Sequence, residues 1–202
     1  MRLYAAADIH GSQYRLNLVL NNIERYSPDL VIICGDITQF GPGEVAKNFL
    51  NQIPVETLAI SGNIDTPDVY NAINDSKAKN IELKKIVKKD ISFIGINATD
   101  ENQISQFFND KNNLIDDNSV LITHVPPYKT RDKIFMGQHG GSKELKKIIE
   151  KYNPRLVLSG HIHEDPGFTK YNNTTIVNCS MGKKGEGALI DINRDISIKM
   201  ID

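Results

Sequence analysis

The sequence predicts an α/β fold on three observations: short apolar runs alternate with segments of helical periodicity, the first such alternation forms a βαβ unit, and a hairpin interrupts the rhythm midway. The first run, Leu3 to Ala7, is followed by Leu16, Val19, Leu20 and Ile23 at helical spacing. Ser27-Pro28 then closes that helix before the second run, Leu30 to Cys34. Val55 to Ile60 is the third strand. After it, Ile81 to Val87 and Ile91 to Ile96 flank the turn sequence Lys88-Lys89-Asp90, so a mixed sheet is expected. The polar stretch Asn97 to Gln106 reads as a surface loop entering a helix. A strand from Val120 to Thr123, a helix from Ser142 to Tyr152 and a strand from Arg155 to Leu158 restore the alternation. Thr174 to Cys179, Ala188 to Ile192 and Ile196 to Met200 are strand-like. With no internal repeat, low-complexity tract or linker, residues 1–202 are expected to form one domain.

Composition narrows the function classes. A chain of 202 residues with 40% hydrophobic and 24% charged content can bury one sizeable core. A formal net charge of −1 provides no overall positive field for nucleic acid or anionic membrane. The N-terminus carries one basic residue and reaches an acid at Asp8, and no run of about 18 apolar residues occurs, so neither secretion nor membrane spanning is expected. Cys34 and Cys179 lie in separate apolar runs, which suits buried thiols in a reducing compartment, the cytoplasm. Self-association stays open.

Chemistry is concentrated where strands end. Ala5-Ala6-Ala7 leads into Asp8-Ile9-His10, Ile32-Ile33-Cys34 into Gly35-Asp36, Leu121-Ile122-Thr123 into His124, and Val157-Leu158-Ser159 into Gly160-His161-Ile162-His163. Ala59-Ile60-Ser61-Gly62 adds the amide of Asn63. Open α/β sheets gather their sites beyond the carboxyl ends of strands, so these endings can converge in one crevice. The pairs Asp8/His10 and His161/His163, two residues apart, would face one side if their backbone were extended. Any one of these residues alone could be a cap or a hydrogen-bonded turn; four of five histidines in equivalent positions point instead to a metal site. Nitrogen and oxygen donors without a cysteine cluster suit manganese, iron, zinc, nickel or cobalt rather than a structural zinc–thiolate site.

These elements resemble the calcineurin-like metallophosphoesterase family, whose signature runs D-x-H, G-D, G-N, a lone histidine and then G-H-x-H. All five stand in order as Asp8-Ile9-His10, Gly35-Asp36, Gly62-Asn63, His124 and Gly160-His161-Ile162-His163. Thr123-His124-Val125-Pro126-Pro127 and His139-Gly140-Gly141-Ser142 are most similar to the small single-domain prokaryotic members. The resemblance implies a four-layer αββα sandwich, with two mixed β-sheets flanked by helices, and two divalent ions, manganese first. It implies that Asp8, His10 and His163 hold one ion, that Asn63, His124 and His161 hold the other, and that Asp36 bridges them. A bridging carboxylate suits cations roughly 3.5–4 Å apart, and the pKa of a shared water falls from about 15.7 toward about 7, supplying hydroxide to attack a small-molecule phosphate ester.

One departure matters. Many relatives continue the Gly-Asn element with a histidine and an acid, whereas here Gly62-Asn63 is followed by Ile64-Asp65. Isoleucine cannot protonate a leaving oxygen, and the resemblance to small relatives that lack this histidine implies a phosphodiesterase. The alternatives are a phosphomonoesterase or nuclease of the same fold, or a non-catalytic metal-binding scaffold; the complete ligand set argues against a scaffold, and the lack of a basic groove against a nuclease. The fifth histidine, His139, has two readings: a group over the metals that binds phosphate or replaces the missing acid, or a surface loop residue. Gly140, Gly141 and Ser142 could offer backbone N–H groups to an anion, though helix punctuation is the simpler reading. Arg131 and Lys129 are left to solvent, Cys34 to the core, and Asp65 to backbone hydrogen bonds within its loop.

Overall fold

The structure is a computed structural model that describes residues 1–109 and 114–202. The first half of the chain alternates β1 (Arg2–Ala6), α1 (Gln13–Tyr26), β2 (Leu30–Cys34), α2 (Gly43–Gln52), β3 (Thr57–Ile60), α3 (Pro67–Asn74) and β4 (Lys79–Asn80). The second contains β5 (Lys84–Lys88), β6 (Ile91–Ile96), α4 (Glu101–Asn109), β7 (Ser119–Thr123), α5 (Lys143–Tyr152), β8 (Leu156–Ser159), β9 (Gly167–Tyr171), β10 (Thr174–Asn178), β11 (Ala188–Ile192) and β12 (Ile196–Met200). These strands form two six-stranded sheets, ordered β12-β11-β1-β2-β3-β4 and β5-β6-β7-β8-β10-β9. Both are mixed: β1 to β4 run parallel while β11 pairs antiparallel with both β1 and β12, and β6, β7, β8 and β10 run parallel between antiparallel β5 and β9.

The apolar runs are continuous because the central strands are covered on both faces. Leu3, Ala5, Leu30, Ile32 and Leu58 point from the first sheet into a layer shared with Phe93, Val120, Ile122, Leu156 and Leu158 of the second. On the outer face of the first sheet, Tyr4, Val31, Ile33 and Ala59 meet Leu16 and Val19 of α1, Phe49 and Leu50 of α2, and Val69 and Ile73 of α3. On the other side, Ile94, Leu121, Val157 and Ile176 meet Ile104, Phe107 and Phe108 of α4 and Leu145 and Ile149 of α5. The layers are therefore helix, sheet, sheet, helix, the αββα order that the resemblance implied. Among the described residues, no helix is long and apolar enough to cross a membrane.

Several elements depart from the sequence reading. The run Ile81 to Val87 is not one strand: Lys79–Asn80 pairs with β3 in one sheet, and Lys84–Lys88 pairs with β6 in the other. Ile81 still donates its N–H to Ala59, while Leu83, at φ 56°, donates to Gly95, so the chain changes sheets between them. Helix α4 begins at Glu101, within the stretch read as loop, because Ile104, Phe107 and Phe108 recur at helical spacing and are buried. Helices α2 and α3 and strand β9 were not anticipated. The Lys88–Asp90 turn, by contrast, is where it was expected, with Lys89 and Asp90 both at positive φ in a two-residue hairpin loop.

Buried Glu82 fastens the crossover. Its Oε2 accepts from Ser61 N at 3.3 Å and Ser61 Oγ at 2.6 Å, and its Oε1 accepts from Asn97 Nδ2 at 3.0 Å. One carboxylate thus ties the end of β3 to the end of β6. Glu82→Ala, which leaves these buried donors unsatisfied, is expected to lower unfolding free energy by about 1–3 kcal/mol. A urea melt with an unchanged midpoint would contradict this role.

Candidate metal centre

Asp8, Asp36, Asn63, His124 and His161 lie one to three residues beyond the ends of β1, β2, β3, β7 and β8. Three of these strands belong to one sheet of the sandwich and two to the other, so the site is a seam between sheets. Short backbone bonds close it: Asp8 N donates to Gly35 O at 3.1 Å, His10 N to Asp36 O at 2.9 Å, and Gly160 N to His124 O at 2.9 Å. Asp8 then spans the seam, its Oδ1 and Oδ2 accepting from His161 N at 3.2 and 3.1 Å.

The expectation of extended backbone at the two pairs spaced two residues apart is overturned. Asp8 (φ 63°), His10 (φ 54°), Asp36 (φ 50°) and His161 (φ 67°) are all left-handed. Asp and His tolerate that region better than most residues, and such conformations cluster at functional sites. The turns, rather than strand alternation, aim these side chains inward. Two glycines permit the close approach. A Cβ on Gly62 would stand 2.1 Å from Asp36 Oδ1, and one on Gly160 would stand 2.2 Å from Ala7 Cβ and 2.9 Å from Asp8 Oδ2.

Seven side chains meet in two linked groups. His10 Nε2 is 3.2 Å from His163 Nε2, which is 3.5 Å from Asp8 Oδ1. His124 Nε2 is 2.8 Å from Asn63 Oδ1 and 3.3 Å from Asp36 Oδ2, and His161 Nδ1 is 2.9 Å from the same Asn63 oxygen. His124 Nδ1 lies 2.8 Å from the Cys34 carbonyl, which only accepts, so Nδ1 is the donor and Nε2 is the nitrogen turned toward the crevice. The ligand atoms of Asp8, His10 and His163 lie within 4.8 Å of one another, as do those of Asp8, Asp36 and His124.

Electrostatics favour a cation. Burial alone would raise the Asp8 carboxyl, but His163, His124 and Ser180 outweigh it and bring it down to about 2, so Asp8 is ionised at neutral pH. Burial pushes His10 and His161 down, keeping their rings neutral with a lone pair to give. The Asp8 hydrogen bond raises His163; burial opposes protonation of His124, yet Asp36, Asp8 and the Cys34 carbonyl lift it. Buried His10 Nδ1 has no hydrogen-bond partner among the described residues. Acceptors confronting acceptors, with carboxylates beneath them, fit divalent ions well.

The surrounding residues are mostly structural. Asp65 accepts from Ile37 N, Thr38 N, Thr38 Oγ1 and Gly62 N at 2.8–3.0 Å, holding the Asp36 and Asn63 loops together as expected. Arg131 is bound to Phe168 O and Asp165, and Cys34 is buried. The N–H groups opening α5 are already satisfied, Lys143 and Glu144 by the Glu101 carboxylate and Leu145 by Ser142 Oγ, so Gly140 to Ser142 are helix punctuation. Sequence reasoning missed Asn178, whose Nδ2 donates to the carbonyls of Ile162, Asp165 and Arg131, fixing the backbone around His163. A lone amide ending the apolar run Thr174 to Val177 was its only signal. His139 lies apart from the seven: its Nδ1 is 2.7 Å from Asp132 Oδ1, and its ring meets the edge of Tyr128.

Comparison with known proteins agrees with this architecture. The model of the calcineurin-like phosphoesterase family matches residues 1–165. An uncharacterized protein of Methanocaldococcus jannaschii, MJ1162, is 32% identical over 197 residues, 89% of this chain and 88% of that one. A probable glycerophosphodiester phosphodiesterase of Arcobacter nitrofigilis is 27% identical over 179 residues, 79% of this chain and 65% of that protein. The solved structure of TT1561 from Thermus thermophilus has the same fold, with a TM-score of 0.71 at 14% identity over 100% of this chain and 99% of that one.

Gly62→Ala is expected to displace both the backbone and the carboxylate of Asp36, because the new Cβ would stand 2.4 Å from Asp36 N and 2.1 Å from its Oδ1. Calorimetric titration with manganese should show roughly 10–100-fold weaker binding, the range typical of lost ligand support. Unchanged affinity would mean that Asp36 takes no part.

Proposed function

Because the chain belongs to the calcineurin-like phosphoesterase family, a group of phosphate-ester hydrolases, we propose that it is a binuclear metal-dependent phosphodiesterase. The observation that carries this reading is the convergence of Asp8, His10, Asp36, Asn63, His124, His161 and His163 at 2.8–3.5 Å spacings. Asp8, His10 and His163 would hold one ion and Asn63, His124 and His161 the other, with Asp36 shared; Asp8 is close enough to both groups to contribute to either. Two divalent ions, manganese first, supply counter-charge for a phosphoryl group and a nucleophile generated from water at neutral pH.

The chain's own residues do the rest. His161 and Asn63 border a cavity of about 290 Å³ whose lining includes Thr99, Glu101, Gly140, Gly141 and Ser142, room for a phosphoryl group and part of a small alcohol. A second hollow of about 570 Å³ continues from Asn63 past Ser61, Asp65 and Tyr70, space for the other alcohol of a diester. Ile64 stands where many relatives carry a histidine that can protonate the leaving oxygen, which favours diesters or activated esters. The diesterase relative from Arcobacter agrees with that preference. The same reading places the chain in the cytoplasm, where Cys34 and Cys179 persist as buried thiols although their sulfurs lie 3.7 Å apart.

Asp36→Asn and His161→Ala are each expected to abolish hydrolysis in a folded protein, and elemental analysis should find more metal lost from Asp36→Asn, whose missing charge affects both ions. Full activity in either variant would overturn the assignment.

Substrate choice provides a second test: the native protein is expected to turn over diesters faster than alkyl monoesters. Ile64→His should gain less than the roughly 10²–10⁴-fold that an oriented acid provides, because both Asp65 oxygens are already occupied by the loop. Alkyl monoesters hydrolysed faster than diesters would remove the case for a diesterase.

A further inference from the structure

The carboxylate–imidazole pair absent at positions 64 and 65 has a counterpart elsewhere. The segment that follows His124 returns toward the crevice at Gly140, where a Cβ would stand 3.2 Å from Cδ1 of Ile162, the residue between His161 and His163. One residue before Gly140 is His139. Beneath it, Asp132 is fully buried, and its three described donors divide cleanly between its oxygens. Oδ2 accepts from the backbone N–H groups of Lys129 at 2.9 Å and Gly141 at 3.0 Å. Oδ1 faces His139 Nδ1 at 2.7 Å. A carboxylate held by two backbone donors can only accept, so it requires the proton on Nδ1 and leaves Nε2 free of that bond. The edge of Tyr128, 5.5 Å between ring centroids, limits rotation of the imidazole.

From this geometry we infer that Asp132 is the positioning residue of a displaced general-acid pair, in which His139 Nε2 protonates the leaving oxygen of the ester. The inference rests on the phosphoesterase reading above. In the step, the oxygen of a water bonds to phosphorus as the bond from phosphorus to the alcohol oxygen breaks. The departing oxygen takes the proton from His139 Nε2 and leaves as the alcohol, one proton of the attacking water passes to solvent, and the neutral imidazole regains a proton from solvent. Asp132 takes no proton in the step and holds the ring through its Nδ1–H.

Asp132→Asn separates positioning from packing. The two backbone N–H groups demand an acceptor, so the amide oxygen should turn to Lys129 and Gly141, and the NH₂ must then face His139 Nδ1. That arrangement forces the proton onto Nε2 of a neutral ring and opposes the imidazolium. With manganese-loaded full-length protein, Asp132→Asn should slow methyl p-nitrophenyl phosphate, losing p-nitrophenolate, by less than a few-fold. It should slow a dialkyl phosphate by roughly 10²–10⁴-fold, as His139→Ala should, with no further loss in the double variant. Nitrogen-15 ring shifts should report protonated Nδ1 in neutral His139 of the native protein and protonated Nε2 in the variant. Equal slowing of both esters, no slowing of either, or losses that add to those of His139→Ala would overturn the inference while leaving the phosphoesterase reading intact. Failure of the native protein to cleave either ester would instead sink that reading. If Asp132→Asn does not fold, the native ring decides: protonated Nε2 overturns the proposal and protonated Nδ1 supports it.

Discussion

Two buried carboxylates and four imidazoles share one crevice, and several of their lone-pair atoms stand 2.8–3.5 Å from one another or from the Asn63 oxygen. Such atoms repel unless a proton or a cation lies between them, and in a low-dielectric setting the repulsion is large. Much of the local structure counters it. Left-handed turns at Asp8, His10, Asp36 and His161 aim the groups inward, while Asp65, Asn178 and the Cys34 carbonyl hold the loops and rings that carry them. The scaffold therefore assembles these donors during folding, as a preformed cation site would require.

This arrangement explains why the site was more legible in the sequence than the fold around it. Each ligand stands just past an apolar run, and a charged or imidazole group ending a buried strand is a sharp local signal. The reason first assigned to the paired spacings was nevertheless wrong: Asp8 and His10 converge through positive φ, which spacing cannot reveal. The four layers followed from the family resemblance, whereas the short helices α2 and α3 were not read from the sequence. In β9, exposed and half-buried residues alternate along an edge, so no apolar run marks it. Ile81 to Val87 misled for the opposite reason, since one strand-like stretch served two sheets. Neither Asp132 nor Glu82 was visible, because a buried acid is defined by partners distant in sequence.

Carboxylates in this chain perform distinct jobs that composition cannot distinguish. Asp65 spends both oxygens on backbone and hydroxyl donors and acts as a loop fastener, whereas Asp132 has the same kind of backbone anchorage on one oxygen and keeps the other for an imidazole. Glu101 serves a helix terminus, and Glu82 a strand crossover. The difference in each case is which donors the fold presents.

Neither sheet closes on itself, so the sandwich has four open edges, formed by β12, β4, β5 and β9. Every one carries a lysine: Lys199, Lys79, the trio Lys84, Lys85 and Lys88, and Lys170. A strand from another molecule that aligned along any of these edges would have to strip water from an ammonium group, a penalty that discourages stacking of chains into fibres. The twelve-strand framework can thus leave its hydrogen-bonding rims exposed without becoming a template for aggregation.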